Sequence, residues 1–247
     1  MPTGLQLTDP IMSRTVPQPS PPTLRQLLAL AAVLSLGAAI SLGITRFAYG
    51  LLLPTMRSDL GWSYTLAGAM NTLNAVGYLL GAVAAPWLLK RFSSICILLV
   101  GSLLASIFMA GSGFFTDAPP LLFQRLLAGV ASAWVFIAGG LLAARLGVLA
   151  PAQMGLLLGI YYGGTGLGIT LSALLVPTVL QAASQVPHGW AWAWWLLALV
   201  CLLATALLAF AGRRLQALKQ QRGCVGKKAT PRHKNAGQQT ADQQYAN

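Results

Sequence analysis

The chain of 247 residues contains no glutamate, and its only four acidic residues are aspartates. Charged residues of either sign make up 8% of the sequence, against about 25% in an ordinary soluble protein. So few charges cannot cover a water-facing surface of this size. The deficit excludes a soluble enzyme, a nucleic-acid-binding module and a disordered protein. Cysteine is equally scarce. Cys96 and Cys201 lie in apolar stretches and Cys224 lies in a basic tail. Their number and spacing give neither a disulfide framework nor a metal site, and all three read as plain thiols. No Walker motif, zinc-protease helix or nucleophile elbow occurs, so neither direct use of ATP nor a positioned catalytic set is expected. The chain calls for no cofactor and reads as a non-enzyme.

What is present is hydrophobic sequence, 56% of the chain. A membrane helix needs about 20 consecutive apolar residues. Six stretches qualify: Leu27–Leu53, Leu66–Leu89, Ser94–Phe114, Leu121–Ala144, Met154–Leu180 and Trp190–Ala211. Helix is the expected state of each, because lipid leaves the edge of an open sheet unsatisfied. The expected architecture is an all-α integral membrane protein with six transmembrane helices. Residues 1–26 form a cytoplasmic segment, 27–212 the transmembrane domain and 213–247 a disordered basic cytoplasmic tail with Gln-rich stretches.

The formal net charge is +12, and it belongs mostly to the two ends. Basic residues flanking apolar helices report membrane orientation before they report nucleic acid, so no nucleic-acid partner is expected. With the N-terminus in the cytoplasm, the cytoplasmic segments hold 13 of the 16 Lys and Arg residues and the outer loops hold Arg57 alone. Both termini are then cytoplasmic, and a cell inner (plasma) membrane is the expected location. Trp62, Tyr64, Phe114, Phe115 and the cluster Trp190, Trp192, Trp194 and Trp195 fall at outer span ends, where such side chains favour the headgroup zone.

Small residues recur every four positions at Gly77, Gly81 and Ala85, at Gly155, Gly159 and Gly163, and again at Gly164 and Gly168. That spacing predicts close helix packing. Two arginines, Arg46 and Arg125, lie within spans. An Arg there costs at least about 2.5 kcal/mol on the insertion scale, so it is a functional candidate by default. Counting from the span ends at 1.5 Å per residue puts Arg46 roughly 10 Å and Arg125 roughly 6 Å below the outer face. Snorkelling to the outer headgroups is the competing reading. No Asp or Glu lies in any span, so neither guanidinium has an intramembrane carboxylate partner. Asn71, Asn74 and Tyr78 share a face of the second span, and Tyr161, Tyr162 and Thr165 lie in the fifth. Hydrogen bonds between helices account for such groups, and cavity lining is the alternative. His188 stands in the loop before the last span, which, like Asp117, is expected outside; the two are too few for a catalytic site.

The stretch Gly43-Ile44-Thr45-Arg46-Phe47-Ala48-Tyr49, followed by Leu52-Leu53-Pro54-Thr55-Met56 and Asp59-Leu60-Gly61, resembles the first helix and following loop of the YbfB/YjiJ branch of the major facilitator superfamily. Asn74, Gly77-Tyr78-Leu79 and Gly81 are similar to its second helix. Arg125 and Gly129 match the R-x-x-x-G signature of the fourth, and Gly163, Leu167-Gly168 and Pro177 resemble the fifth. The resemblance covers about residues 27–214 and implies the amino-terminal six-helix half of a twelve-helix secondary transporter. In that fold the first and fourth helices line the central cavity. Arg46, Arg125, Asn74, Tyr78, Tyr161 and Thr165 are therefore the expected substrate-binding set. An anionic or zwitterionic small molecule is the expected cargo. The loop after the second helix acts as a gate in the family, which gives Lys90 and Arg91 that place. Here Lys90 stands where the family has Asp, and Ser93 where it has Gly. Alternating access needs two bundles around one midplane site. A second six-helix half or a homodimer is thus the expected protein partner, besides the lipid bilayer. The rival expectations are a non-transporting truncated remnant and a membrane scaffold or sensor that uses the basic tail.

Overall fold

The computed structural model describes residues 22–228, with side chains described through Arg213. Every regular element among them is helical. In chain order they are α1 (Leu24–Ala38), a π-helical turn (Ala39–Ile44), α2 (Phe47–Asp59), α3 (Tyr64–Arg91), α4 (Ser94–Gly111), α5 (Ala118–Leu149), a 3-10 turn (Pro151–Gln153), α6 (Met154–Ala182) and α7 (Trp190–Lys228). Six segments are long and apolar enough to cross a membrane. They run Leu24–Asp59, Tyr64–Arg91, Ser94–Gly111, Ala118–Leu149, Pro151–Ala182 and Trp190–Arg213. The six expected spans are all present, with ends moved by a few residues. The protein is a multi-pass membrane protein.

Local chemistry explains where the helices begin. Thr23 and Gln26 form a reciprocal capping box at the start of α1. Ser63 and Ser93 each accept from the backbone three residues on, at the starts of α3 and α4. These oxygens satisfy N–H groups that a helix leaves orphaned at its first turn. Pro119 and Pro120 occupy the first turn of α5, where a missing N–H costs nothing. Alternation of the spans gathers Asp59, Tyr64, Ala118 and Trp190 at one end of the bundle and Leu24, Arg91, Ser94 and Met154 at the other. These are called below the Asp59 end and the Arg91 end.

α5 is the centre of the bundle, packed by α3 on one side and α4 on another. Glycine sets the first contact. A Cβ at Gly77 or Gly81 would meet the backbone of Leu126 or Val130, and one at Gly129 would meet the backbone of Asn74 and Tyr78. α6 lies against the first span in the same way, with Gly164 on the Ser35 backbone and Gly168 on Ala39 and Gly43. The row Gly155, Gly159 and Gly163 has the same spacing but nothing within 4 Å of an added Cβ. It faces away from this bundle, as do long stretches of α3 and α6. Only 22% of the apolar window of each is buried, against 61% for the first span.

Two expectations change. Trp190 and Trp194 are 1% exposed and belong to the core, whereas Trp192 is 54% exposed. The reason is that both buried indoles find internal acceptors, Asp59 and the Met56 sulfur. The last helix also runs on past Ala211 to Lys228, into the segment expected to be disordered. Its Arg, Leu, Gln, Ala and Lys residues from 213 onward are good helix formers. Residues 229–247 of the tail and 1–21 of the N-terminal segment lie outside the described residues.

Candidate functional site

The site begins with a break in the first span. From Ala39 to Ile44 the chain is a π-helix, and Thr45 and Arg46 then form a turn before α2 starts. Thr45 supports the widened turn twice. Its N–H and its hydroxyl both donate to the Ile40 carbonyl, at 3.0 and 2.6 Å. Gly43 lets α6 press against the same turn, because a side chain there would strike the backbone of Thr165 and Gly168. Single π turns in helices recur at functional sites. Broken helix at membrane depth is tolerated where protein satisfies the freed backbone groups. Here the Thr45 carbonyl, between the two helices, accepts from Arg125 Nη1 at 3.1 Å.

Arg125 is only 2% exposed. Its guanidinium carbon lies 4.8 Å from the Tyr49 ring centre and 5.8 Å from that of Trp194. The negative ring faces partly replace the hydration the cation has lost. Among the described residues, Nε and Nη2 have no hydrogen-bond partner. The helix carrying it is fixed by Asn74, which donates to the Arg125 carbonyl at 3.0 Å. Tyr49 is held in turn by its hydroxyl on the Ala67 carbonyl at 2.8 Å.

Arg46 differs from Arg125. It is half-buried on the open side, with its guanidinium 6.0 Å from the Tyr78 ring centre. Tyr162 is 50% exposed. It stacks edge-on to Tyr161 at 5.1 Å and lies 5.6 Å from Phe136. Tyr161 is fully buried and spends its hydroxyl on the Phe136 carbonyl at 2.7 Å.

The expected set thus divides. Arg46 and Tyr78 come together on the open face, and Thr165 lies half-buried beside Gly43. Arg125, Asn74 and Tyr161 are buried, and the last two bond across helices. Lys90 and Arg91 are exposed in the last turn of α3, where their charge suits the negative helix end, and Arg91 lies 5.8 Å from the Trp87 ring. Tyr162 and Phe136 join the face and were not in the expected set. Tyr162 is adjacent to Tyr161 in sequence, and only the helix rotation tells which of the two is open.

Arg46 is thus half-buried beside Tyr78, Arg125 is buried within the bundle, and among the described residues neither guanidinium pairs with a carboxylate. A discontinuous membrane helix with a polar group at its break is a construction that many membrane transporters use. Residues 38–244 match the family described as "uncharacterised MFS-type transporter YbfB", which covers most of the chain. The chain belongs to that transporter family, within the major facilitator superfamily. Comparison with curated proteins gives no match.

Proposed function

We propose that the protein is a secondary-active transporter of a small anionic or zwitterionic solute, and that Arg46 is the group that receives its negative charge. One observation carries the reading. Arg46 is a half-buried guanidinium beside the Tyr78 ring at the break in the first span, and among the described residues it pairs with no carboxylate. A cation so placed repels cationic solutes, and an anion neutralises it in a medium where charge is otherwise expensive. Tyr78 and Tyr162 supply hydroxyls for the remaining polar atoms of the solute, with Thr165 at the edge of the patch.

A polar patch of this kind cannot rest against lipid tails. We therefore take the α3 and α6 face, with its open glycine row, to be covered by a second helical unit, either another six-helix half or a second copy. The Asp59 end faces outward and the Arg91 end the cytoplasm of an inner (plasma) membrane, because the Lys and Arg residues gather at the latter. Lys90 and Arg91 stand where a gate would close.

The test is ligand stabilisation of the purified chain in detergent by carboxylates, amino acids and amines of matched size. Carboxylates and amino acids should raise the unfolding temperature of the wild type, and the shift should vanish in Arg46→Gln. Stabilisation by amines alone would overturn the charge assignment.

A further inference from the structure

The first span is two helices, and the second of them is held at its far end by a separate set of contacts. α2 has Arg46 as its N-cap and ends at Asp59, about 20 Å away at 1.5 Å per residue. At that end Asp59 Oδ2 accepts from Trp190 Nε1 at 2.6 Å and meets His188 Nδ1 at 2.6 Å. Hydrogen bonds to a carboxylate this short are of the stronger, charge-assisted kind. His188 and Asp59 form the one ion-pair contact among the described residues. His188 also has a φ of 55°, the left-handed region that non-glycine residues rarely occupy. Such a conformation persists where surrounding contacts over-determine it. Here the contact is the imidazole on Asp59.

Along its length α2 packs mainly by apolar contact, with Ala48, Tyr49, Leu52 and Met56 buried in the core. Its other side-chain bonds to neighbouring helices are the Tyr49 hydroxyl on Ala67 and the Trp194 indole on the Met56 sulfur, the latter at 3.4 Å. A cavity of about 270 Å³ lies beside its last turn, lined among others by Thr55, Ser58, Ser184 and the three clasp residues. The other end of α2 joins α1 through the π turn and the two-residue break rather than a continuous helix. Hinges are a few element-terminal residues that absorb backbone change, and Thr45 and Arg46 stand at that place.

We propose that Asp59, His188 and Trp190 form a clasp that holds α2 against α7, and that α2 pivots at Thr45–Arg46 when the clasp opens. Opening the clasp then swings the Asp59 end of α2, about 20 Å from the pivot at Thr45–Arg46. The inference stands on the geometry of α2 and does not depend on which solute is carried.

Hydrogen exchange of the full chain in lipid nanodiscs, read by mass spectrometry, tests it. His188→Gly removes the imidazole but suits the left-handed backbone. Asp59→Ala removes the acceptor from the other side. Each should speed exchange of the α2 amides about tenfold, the effect of losing a hydrogen bond to a charged group, while α1 stays unchanged. His188→Asn places an amide donor near the position of Nδ1 and tolerates the same φ, so it should restore slow exchange. Unchanged α2 exchange in both His188→Gly and Asp59→Ala overturns the clasp. Equal acceleration of α1 and α2 overturns the hinge, and failure of His188→Asn to restore slow exchange overturns the role of the hydrogen bond.

Discussion

Replacing Arg125 by Met keeps most of the stem and removes a buried charge whose Nε and Nη2 have no partner among the described residues. The losses are one charge-assisted bond to the Thr45 carbonyl, worth about 1.5–3 kcal/mol, and the attraction of the Tyr49 and Trp194 rings, worth about 2 kcal/mol when desolvated. The gain is release from the desolvation of a buried ion, which costs several kcal/mol. The terms are of similar size and opposite sign. Arg125→Met should therefore unfold within about 2 kcal/mol of the wild type, in either direction. It should nevertheless lose solute uptake severalfold. The break in the first span loses the donor that fixes its free carbonyl. Reversible unfolding in mixed micelles measures the first quantity, and proteoliposome uptake at equal inserted protein measures the second. A destabilisation above about 3 kcal/mol, the range seen when a buried ionic partner is removed, would refute the reasoning. It would mean that Arg125 is a structural keystone whose contacts outweigh its desolvation. Full uptake in a stable Arg125→Met protein would refute the functional half.

The two glycine rows of α6 should respond oppositely. Gly164→Ala drives a methyl group into the Ser35 backbone and should cost about 1–3 kcal/mol of stability, seen as a lower yield of folded protein and a lower unfolding temperature. Gly159→Ala meets nothing within 4 Å. It should leave the unfolding temperature of the isolated chain unchanged or slightly raised, while reducing cross-linking to a second unit if the α6 face is covered. Tyr161→Phe removes a buried hydroxyl from the Phe136 carbonyl and should cost about 1 kcal/mol in the same unfolding assay. Uptake by that variant should be unaffected, since the hydroxyl is already spent within the bundle.

The six spans were legible because length and hydropathy suffice to define a membrane helix, and all six stand in the structure. The break in the first span was not, because Leu27–Leu53 carries no proline and Arg46 is its only charged residue, so the run reads as one helix. It depends on α6 pressing on Gly43 and on Thr45 bonding back to Ile40, contacts made in three dimensions. Spacing alone could not separate Gly155, Gly159 and Gly163 from Gly164 and Gly168. Both rows suit close packing, and only the helix rotation decides which meets a neighbour. The tryptophans at the start of α7 carry the signature of an interfacial belt, yet Trp190 and Trp194 turned inward to acceptors on α2. The pairing of His188 with Asp59 crosses 129 positions, a separation at which no sequence pattern operates. Charge was read most simply. With no Glu in the chain and every Asp outside the six apolar stretches, the two intramembrane arginines were expected to lack a carboxylate partner; Asp59 in fact ends α2, where it meets His188 and Trp190, and among the described residues neither arginine forms an ion pair.

The central claim is that Arg46 receives the negative charge of a transported solute. Uptake of a labelled carboxylate that stabilises the wild type should be measured in proteoliposomes holding equal amounts of inserted wild-type, Arg46→Lys and Arg46→Gln protein. The account predicts that Arg46→Gln transports no faster than empty vesicles and that Arg46→Lys retains part of the rate, because it keeps the charge and loses the planar fork. Wild-type uptake by Arg46→Gln would contradict it.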